Sequence, residues 1–300
     1  MLDDARRPFQ KAGIPLITDL DKDGQKEIIT VSLDYNGALN PAMLLHVIKS
    51  NGSKFPNFPK GYTSDIILDI ASGDVNGDGY LEIALRFTHS IDIIDRFGNS
   101  IPGFPVSYSD GDVFPIKFIS LYDLNNDGNL EIIVSKNNEV TVYNNDGSIK
   151  SGWPKYIPGR ANYNPAIGDV DGDGYAEIIL NSFKFVNNII DSASVTILKH
   201  NGDIFSPNWP KYFLPPYHSW SSSPSLYINK NYPDSTFFII NHDSSGTQHR
   251  FIKFDITGKI LSSKYYNASH DFGTLVMGDI NHDGLIEFAT GTQVSKRFSF

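Results

Sequence analysis

Residues 19–31 read Asp19-Leu20-Asp21-Lys22-Asp23-Gly24-Gln25-Lys26-Glu27-Ile28-Ile29-Thr30-Val31. Short acids alternate along a turn, a glycine follows, a glutamate closes the loop, and an apolar run begins. The pattern D-x-[D/N]-x-D-G-x-x-E returns at Asp74, Asn76, Asp78, Gly79 and Glu82, and at Asp123, Asn125, Asp127, Gly128 and Glu131. It returns again at Asp169, Asp171, Asp173, Gly174 and Glu177, and at Asp279, Asn281, Asp283, Gly284 and Glu287. The starts lie 55, 49, 46 and 110 residues apart, so one unit in the last gap has lost the pattern. Its flanks remain as Pro224-Ser225-Leu226 and Thr236-Phe237-Phe238-Ile239-Ile240, with Ile228, Lys230, Tyr232 and Pro233 where the acids and glycine would stand. Six units of about 50 residues result, a period that marks repeat architectures.

The runs after the loops, such as Ile83-Ala84-Leu85, Ile132-Ile133-Val134 and Ile178-Ile179-Leu180, are short and mostly β-branched, which predicts strands. Their unbroken apolarity predicts burial on both faces. Between loops, Asn51-Gly52, Phe97-Gly98, Asp146-Gly147, Asn201-Gly202 and Thr257-Gly258 read as hairpin turns. The first four are followed by Phe58-Pro59, Phe104-Pro105, Trp153-Pro154 and Trp209-Pro210; the fifth unit lacks such a segment. These features predict an all-β propeller of about six four-stranded blades. We expect an N-terminal segment at 1–13 and one propeller domain at 14–300. The sixth unit holds two strands, unless Lys296-Arg297-Phe298-Ser299-Phe300 begins a third. The chain therefore reads as part of a longer polypeptide, with an incomplete ring here and seven blades as the alternative for the whole protein.

Composition narrows the function. The 300 residues contain no cysteine, which removes disulfides, thiolate metal sites and cysteine nucleophiles. No apolar run approaches the roughly 20 residues of a membrane-spanning helix. A formal charge of −9 opposes a nucleic-acid backbone as partner. The acid is concentrated, with 17 of the 34 acidic residues in the five loops. Two carboxylates ~4 Å apart repel by about 1 kcal/mol in water and about 4 kcal/mol at an effective dielectric of 20, so such clusters call for a counter-ion. Calcium takes 6–8 oxygens in a flexible shell, and short Asp and Asn side chains at positions 1, 3 and 5, a backbone oxygen at 7 and the Glu at 9 supply them. Magnesium prefers a stricter octahedron, and zinc prefers nitrogen and sulfur. Five calcium ions would move the formal charge from −9 to +1.

These loops resemble the FG-GAP/VCBS repeats of integrin-α-like β-propellers, over roughly residues 14 to 300. The resemblance implies one four-stranded blade per unit, with one calcium ion in the loop between its first two strands. It implies side-chain ligands at Asp19, Asp21, Asp23 and Glu27; Asp74, Asn76, Asp78 and Glu82; and Asp123, Asn125, Asp127 and Glu131. The same holds for Asp169, Asp171, Asp173 and Glu177, and for Asp279, Asn281, Asp283 and Glu287. Backbone oxygens would come from Gln25, Tyr80, Asn129, Tyr175 and Leu285. In the loop that lost its acids, Lys230 or local packing is expected to replace the ion.

The expected function is a non-catalytic, calcium-stabilised adhesion or binding module with a protein or glycan partner, without nucleic acid or membrane insertion. Aromatic residues between Tyr212 and Tyr232 (Tyr212, Phe213, Tyr217, His218, Trp220, Tyr227 and Tyr232) form a candidate binding cluster, or pack between blades. The alternative is the propeller of a secreted carbohydrate-active enzyme of polysaccharide-lyase type, or of another secreted hydrolase. His218, His249, Arg250 and His270 would be its candidate base and cation. A third reading is a spacer between other domains. Structural calcium sites fill at 10⁻⁴–10⁻³ M in extracellular modules, which predicts a secreted or cell-surface setting.

Overall fold

The computed structural model is described for residues 15–34, 42–63, 65–108, 118–161, 163–187, 189–213, 223–228, 236–243, 248–267, 272–279 and 286–292. Every regular element among them is a strand. The first sheet holds β1 (Leu16–Thr18), β2 (Glu27–Asp34), β3 (Ala42–Ile48) and β4 (Lys60–Tyr62). The second holds β5 (Ile67–Gly73), β6 (Glu82–Phe87), β7 (Ser90–Ile94) and β8 (Val106–Ser107). The third holds β9 (Ile119–Tyr122), β10 (Glu131–Lys136), β11 (Glu139–Tyr143) and β12 (Lys155–Tyr156). The fourth holds β13 (Ala166–Gly168), β14 (Glu177–Val186), β15 (Ile189–Leu198) and β16 (Lys211–Phe213). The fifth holds β17 (Ser225–Tyr227), β18 (Phe237–Asp243), β19 (Gln248–Asp255) and β20 (Ile260–Asn267), and β21 (Phe272–Gly278) pairs with β22 (Glu287–Thr292).

Strand order in each sheet is sequence order, and the pairing is antiparallel, so each of the first five repeat units is one up-and-down blade. The fifth sheet confirms that the unit without acids keeps its strands. No helix among the described residues is long and apolar enough to cross a membrane.

The chain divides into two compact units. One comprises Met1–Leu121, Asn129–Ile132 and Tyr143–Ser148, and the other Tyr122–Gly128, Ile133–Val142 and Ile149–Phe300. Within the first, β1 lies against β5; within the second, β13 lies against β17 and β17 against β21. First strands of consecutive sheets are thus neighbours, and Ser225 Oγ on β17 donates to the Leu275 carbonyl of β21 at 2.7 Å.

Burial follows the prediction in part. Every residue of β6 is buried, as are the first seven of β14. In β2, by contrast, Ile29 is buried while Ile28 is 40% exposed. The register explains this correction: Leu16, Ile29 and Val47 align toward the core shared with Ile83 and Leu85, whereas Ile17, Ile28 and Ile48 align on the other face. Consecutive apolar residues do not report how many faces a sheet has covered.

The aromatic residues before proline are buried and seat each blade on the next within a unit. Asn57 Nδ2 donates to the Phe97 carbonyl at 3.2 Å, beside the buried Phe58. Trp153 Nε1 donates to the His200 carbonyl at 3.3 Å, and Trp209 Nε1 to the Ile256 carbonyl at 3.0 Å. The Trp209 ring also packs on Phe238 and Phe254, with centroids 5.7 and 6.2 Å away. We expect Trp209→Ala to cost about 3–5 kcal/mol, by lost burial and the cavity left behind. Trp209→Phe, which keeps a ring but loses the donor, should cost about 1–2 kcal/mol. Urea unfolding midpoints at unchanged slope measure both, and a loss below about 1 kcal/mol for the alanine variant would show that the seat is not structural.

Candidate metal centre

Each acidic loop joins the first two strands of its sheet, and its Glu is the first residue of the second strand. That Glu is buried in the first four copies: Glu27, Glu82, Glu131 and Glu177 are at most 2% exposed. In at least three copies one carboxylate oxygen accepts the backbone N–H of loop position 2. Leu20 N lies 2.9 Å from Glu27 Oε2, Val75 N 2.8 Å from Glu82 Oε2, and Val170 N 3.1 Å from Glu177 Oε2.

The Asp at position 1 organises the turn by accepting the N–H of the glycine. Gly24 donates to Asp19 at 3.0 Å, Gly79 to Asp74 at 2.9 Å, Gly128 to Asp123 at 2.8 Å and Gly174 to Asp169 at 3.0 Å. These glycines have φ between 84° and 90°, a region that L side chains rarely enter, so the residue type follows from the backbone. At position 5, Asp23, Asp78 and Asp173 each accept the position-7 N–H at 2.8 Å.

After these bonds, some inward oxygens have no protein partner. Asp21 Oδ1, Asp74 Oδ1, Asn125 Oδ1 and Glu177 Oε1 are buried and accept no hydrogen bond. A buried acceptor left bare costs about 1–3 kcal/mol, and more when charged. Oxygens of Asp19, Asp21 and Glu27 lie within 4.8 Å of one another, as do those of Asp169, Asp171 and Glu177. An all-oxygen cluster of this size fits a hard cation such as calcium. In the second loop, Asn76 Nδ2 sits among the carboxylates, 3.1 Å from Glu82 Oε1 and 3.4 Å from Asp78 Oδ2. Lys49 Nζ lies 3.7 Å from Asp21 Oδ2 and offsets part of the charge in the first loop.

Burial pushes the Glu177 carboxyl up to about 7, the neighbouring Asp171, Asp173 and Asp169 add to the shift, and the Val170 N–H opposes it. Glu27 and Glu82 are raised as well, burial again being the largest cause.

Three features of these loops were not read from the sequence. Position 2 is an apolar plug: Leu20, Val75, Leu124 and Val170 are at most 1% exposed. Position 4 takes a left-handed backbone at Lys22, Gly77, Asn126 and Gly172. Position 7 touches the hairpin turn of its own blade. Ser50 Oγ donates to Gln25 Oε1 at 2.6 Å, the Arg96 guanidinium lies 3.5 Å from the Tyr80 ring centroid, Asn145 Nδ2 donates to Asn129 Oδ1 at 3.4 Å, and His200 stacks on Tyr175 at 4.2 Å. The signals were present: each partner stands two residues before the turn glycine, position 2 is apolar in every copy, and two of the five position-4 residues are Gly.

In the last loop Asp279 and Glu287 are half-buried, and Asn281, Asp283 and Leu285 lie outside the described residues. So do Lys230, Tyr217, His218, Trp220, Tyr232 and His270, the segments 1–13 and 296–300, and the side chain of His249. Of the proposed aromatic cluster, Phe213 packs on Phe254 at 6.0 Å and Tyr227 on Phe237 at 5.1 Å, whereas Tyr212 is 64% exposed.

Residues 123–180, which contain two of the acidic loops, match the FG-GAP-like repeat. No curated protein sequence matches the chain. Among solved structures, rhamnogalacturonan lyase YesW superposes with a TM-score of 0.58 at 17% identity, over 93% of this chain and 55% of the lyase. The Bacillus licheniformis rhamnogalacturonan lyase PL11 gives 0.58 at 18% identity over the same shares. The V. cholerae biofilm matrix protein Bap1 gives 0.54 at 17% identity, over 89% of this chain and 41% of that protein. The chain thus spans about half the length of these three structures. It is a propeller-type β protein with a match to the FG-GAP-like repeat over residues 123–180.

Proposed function

We propose that the chain is a non-catalytic, extracellular β-propeller module, stabilised by calcium in its acidic loops, that binds a protein or glycan partner. The observation that carries this reading is the set of bare, buried oxygens at Asp21, Asp74, Asn125 and Glu177, at ligand positions of four different loops. Calcium bound there supplies the missing positive charge and favours the folded state. The chain's own residues orient the site: the position-1 Asp and glycine close the turn, and the position-2 N–H holds the Glu. The FG-GAP-like match and the biofilm matrix protein of similar fold support an extracellular setting.

The lyases of similar fold favour a second reading, a carbohydrate-active catalyst. Such chemistry needs a base and a cation beside a sugar carboxylate. Arg250, the candidate cation, is held by Ser263 Oγ at 2.7 Å and lies 5.4 Å from the Tyr265 ring. The histidine side chains that are described are engaged elsewhere: His46 with Ser32 at 2.8 Å, His89 with Asp65 at 3.8 Å, and His200 with Tyr175 at 4.2 Å. Of this reading's candidate residues only Arg250 has a described side chain; His218, His270 and the side chain of His249 lie outside the described residues.

At free calcium ten times Kd, each site adds about 1.4 kcal/mol, and five sites about 7 kcal/mol. For a chain of this length 1 kcal/mol shifts Tm by about 1.6 °C, so calcium should raise Tm by about 10 °C. Calorimetry of metal-free and calcium-loaded protein, with bound metal counted, checks this; no bound calcium and an unmoved Tm would refute the reading.

The pH dependence should change sign with the metal. In metal-free protein the folded-state pKa of Glu177 is raised from 4.5 to about 7. Its contribution is fully present below about 4.5 and is lost as pH climbs to about 7. Calcium affinity should instead rise over the same window, because protons and metal compete for the carboxylate. Glu177→Gln should flatten the metal-free profile and remove one bound calcium, as chemical denaturation across pH with and without calcium would show. An unchanged metal-free profile would rule out Glu177 as its source.

A further inference from the structure

The hairpin of the fourth blade is longer than its counterparts. β14 and β15 have 10 residues each, whereas β6 and β10 have 6 and β7 and β11 have 5. The segment after β12 is fastened to this extension. Arg160 N donates to the Phe183 carbonyl at 2.8 Å, and Phe183 N to the Arg160 carbonyl at 3.1 Å. Ser182 Oγ and Ser194 Oγ both donate to the Pro158 carbonyl, at 2.6 and 3.0 Å. At Gly159 a Cβ would stand 2.4 Å from the Phe183 carbonyl, so the two backbones meet as closely as they can.

Above this fixed floor opens a groove of about 650 Å³, lined in part by Asn137, Arg160, Lys184, Phe185, Ser192 and Tyr212. Its volume falls in the range of small-molecule sites, roughly 300–1,000 Å³. Among the described residues the lining holds two cations and no carboxylate, although the chain carries 34 acidic residues against 25 basic ones. Arg160 Nε donates to Asn137 Oδ1 at 3.0 Å, and its guanidinium lies 5.3 Å from the Phe185 ring, so the planar fork is pre-oriented. Lys184 pairs with Asp191 at 3.6 Å, but both are about half exposed, and such a pair holds its lysine weakly. Tyr212 on β16 presents a ring that is 64% exposed.

We infer that this groove binds an acidic oligosaccharide, Arg160 taking a uronate-type carboxylate and the Tyr212 and Phe185 rings stacking on the apolar faces of the sugars. A guanidinium fork matches a carboxylate in two parallel hydrogen bonds. Asn137 and Ser192 supply the amide and hydroxyl groups that sugar hydroxyls need. An acidic peptide fits less well: strand addition requires an open sheet edge, and Arg160 already pairs the Phe183 backbone. The inference rests on the binding-module reading and gives it a ligand class and a place. The groove lies beyond Phe183 on β14, six residues or about 20 Å along the strand from Glu177, so loop and groove can be tested apart.

The test is isothermal titration of the whole calcium-loaded chain, at one fixed calcium concentration, with trigalacturonate, its methyl ester and a glutamate tripeptide. We expect trigalacturonate to bind, the neutral ester to bind at least about tenfold more weakly, and the peptide to bind no better than the ester. Arg160→Gln and Tyr212→Ala should each weaken trigalacturonate about tenfold or more with Tm unchanged, and Glu177→Gln should lower bound calcium and Tm while saccharide affinity persists. Equal binding of acid and ester, full affinity in both groove variants, or preference for the peptide would overturn the inference. So would calcium binding with no trigalacturonate binding, an outcome that leaves the calcium reading standing; saccharide binding without calcium would do the reverse.

Discussion

In the blades that carry an acidic loop, a buried glutamate facing two or three aspartates is the constraint from which the loop and its outward contacts follow. Glu27, Glu82 and Glu177 each spend one oxygen on the backbone of loop position 2, which fixes where the chain enters the loop relative to where it leaves. That bond can form only if the carboxylate is carried into a nearly dry place among like charges. Desolvation and Coulomb repulsion act in the same direction there, which is why the carboxyl is pushed up toward protonation. A hard divalent cation would answer both problems, since it would neutralise charge and supply partners to the bare oxygens.

From that point the contacts run outward through the blade. Position 7 of the loop touches the residue two before the hairpin glycine, as with Tyr80 and Arg96 or Tyr175 and His200. The same hairpin receives the aromatic segment of the preceding unit, as the Trp153 indole does at the His200 carbonyl. His200 therefore joins the acidic loop of its blade to the neighbour's buried tryptophan. The fifth unit keeps its four strands although its loop lacks the acids, so strand pairing does not itself require the loop chemistry. The same unit has Thr257-Gly258 at its turn and no aromatic-proline segment to pass onward.

The blades are alike at their acidic loops and unlike at the opposite strand ends. The extended hairpin of the fourth sheet, zipped to residues 158–160, creates a cationic and aromatic groove in an otherwise acidic chain. Variation at loop ends over a constant scaffold is the usual route by which repeat folds acquire ligands.

The sequence by itself determined the repeat, the six units and the strands, and the family resemblance placed the acidic loops between first and second strands. These are local properties: a turn that needs positive φ at Gly24 or Gly79, and β-branched runs that need neighbours. It was also enough to name the unit that lost its acids. Tertiary structure decided the matters that depend on what packs against what. The pattern Ile28-Ile29 looks the same as Ile178-Ile179, yet Ile28 is exposed because the first sheet has one face covered in its unit. Leu20 and Val75 read as spacers between ligands, and their role as plugs appears only when the loop is folded over the core. The groove at Arg160 and Tyr212 joins residues more than 70 positions apart, from Asn137 to Tyr212. No local signal marks such a site, because its chemistry arises from the meeting of segments that are ordinary when read alone.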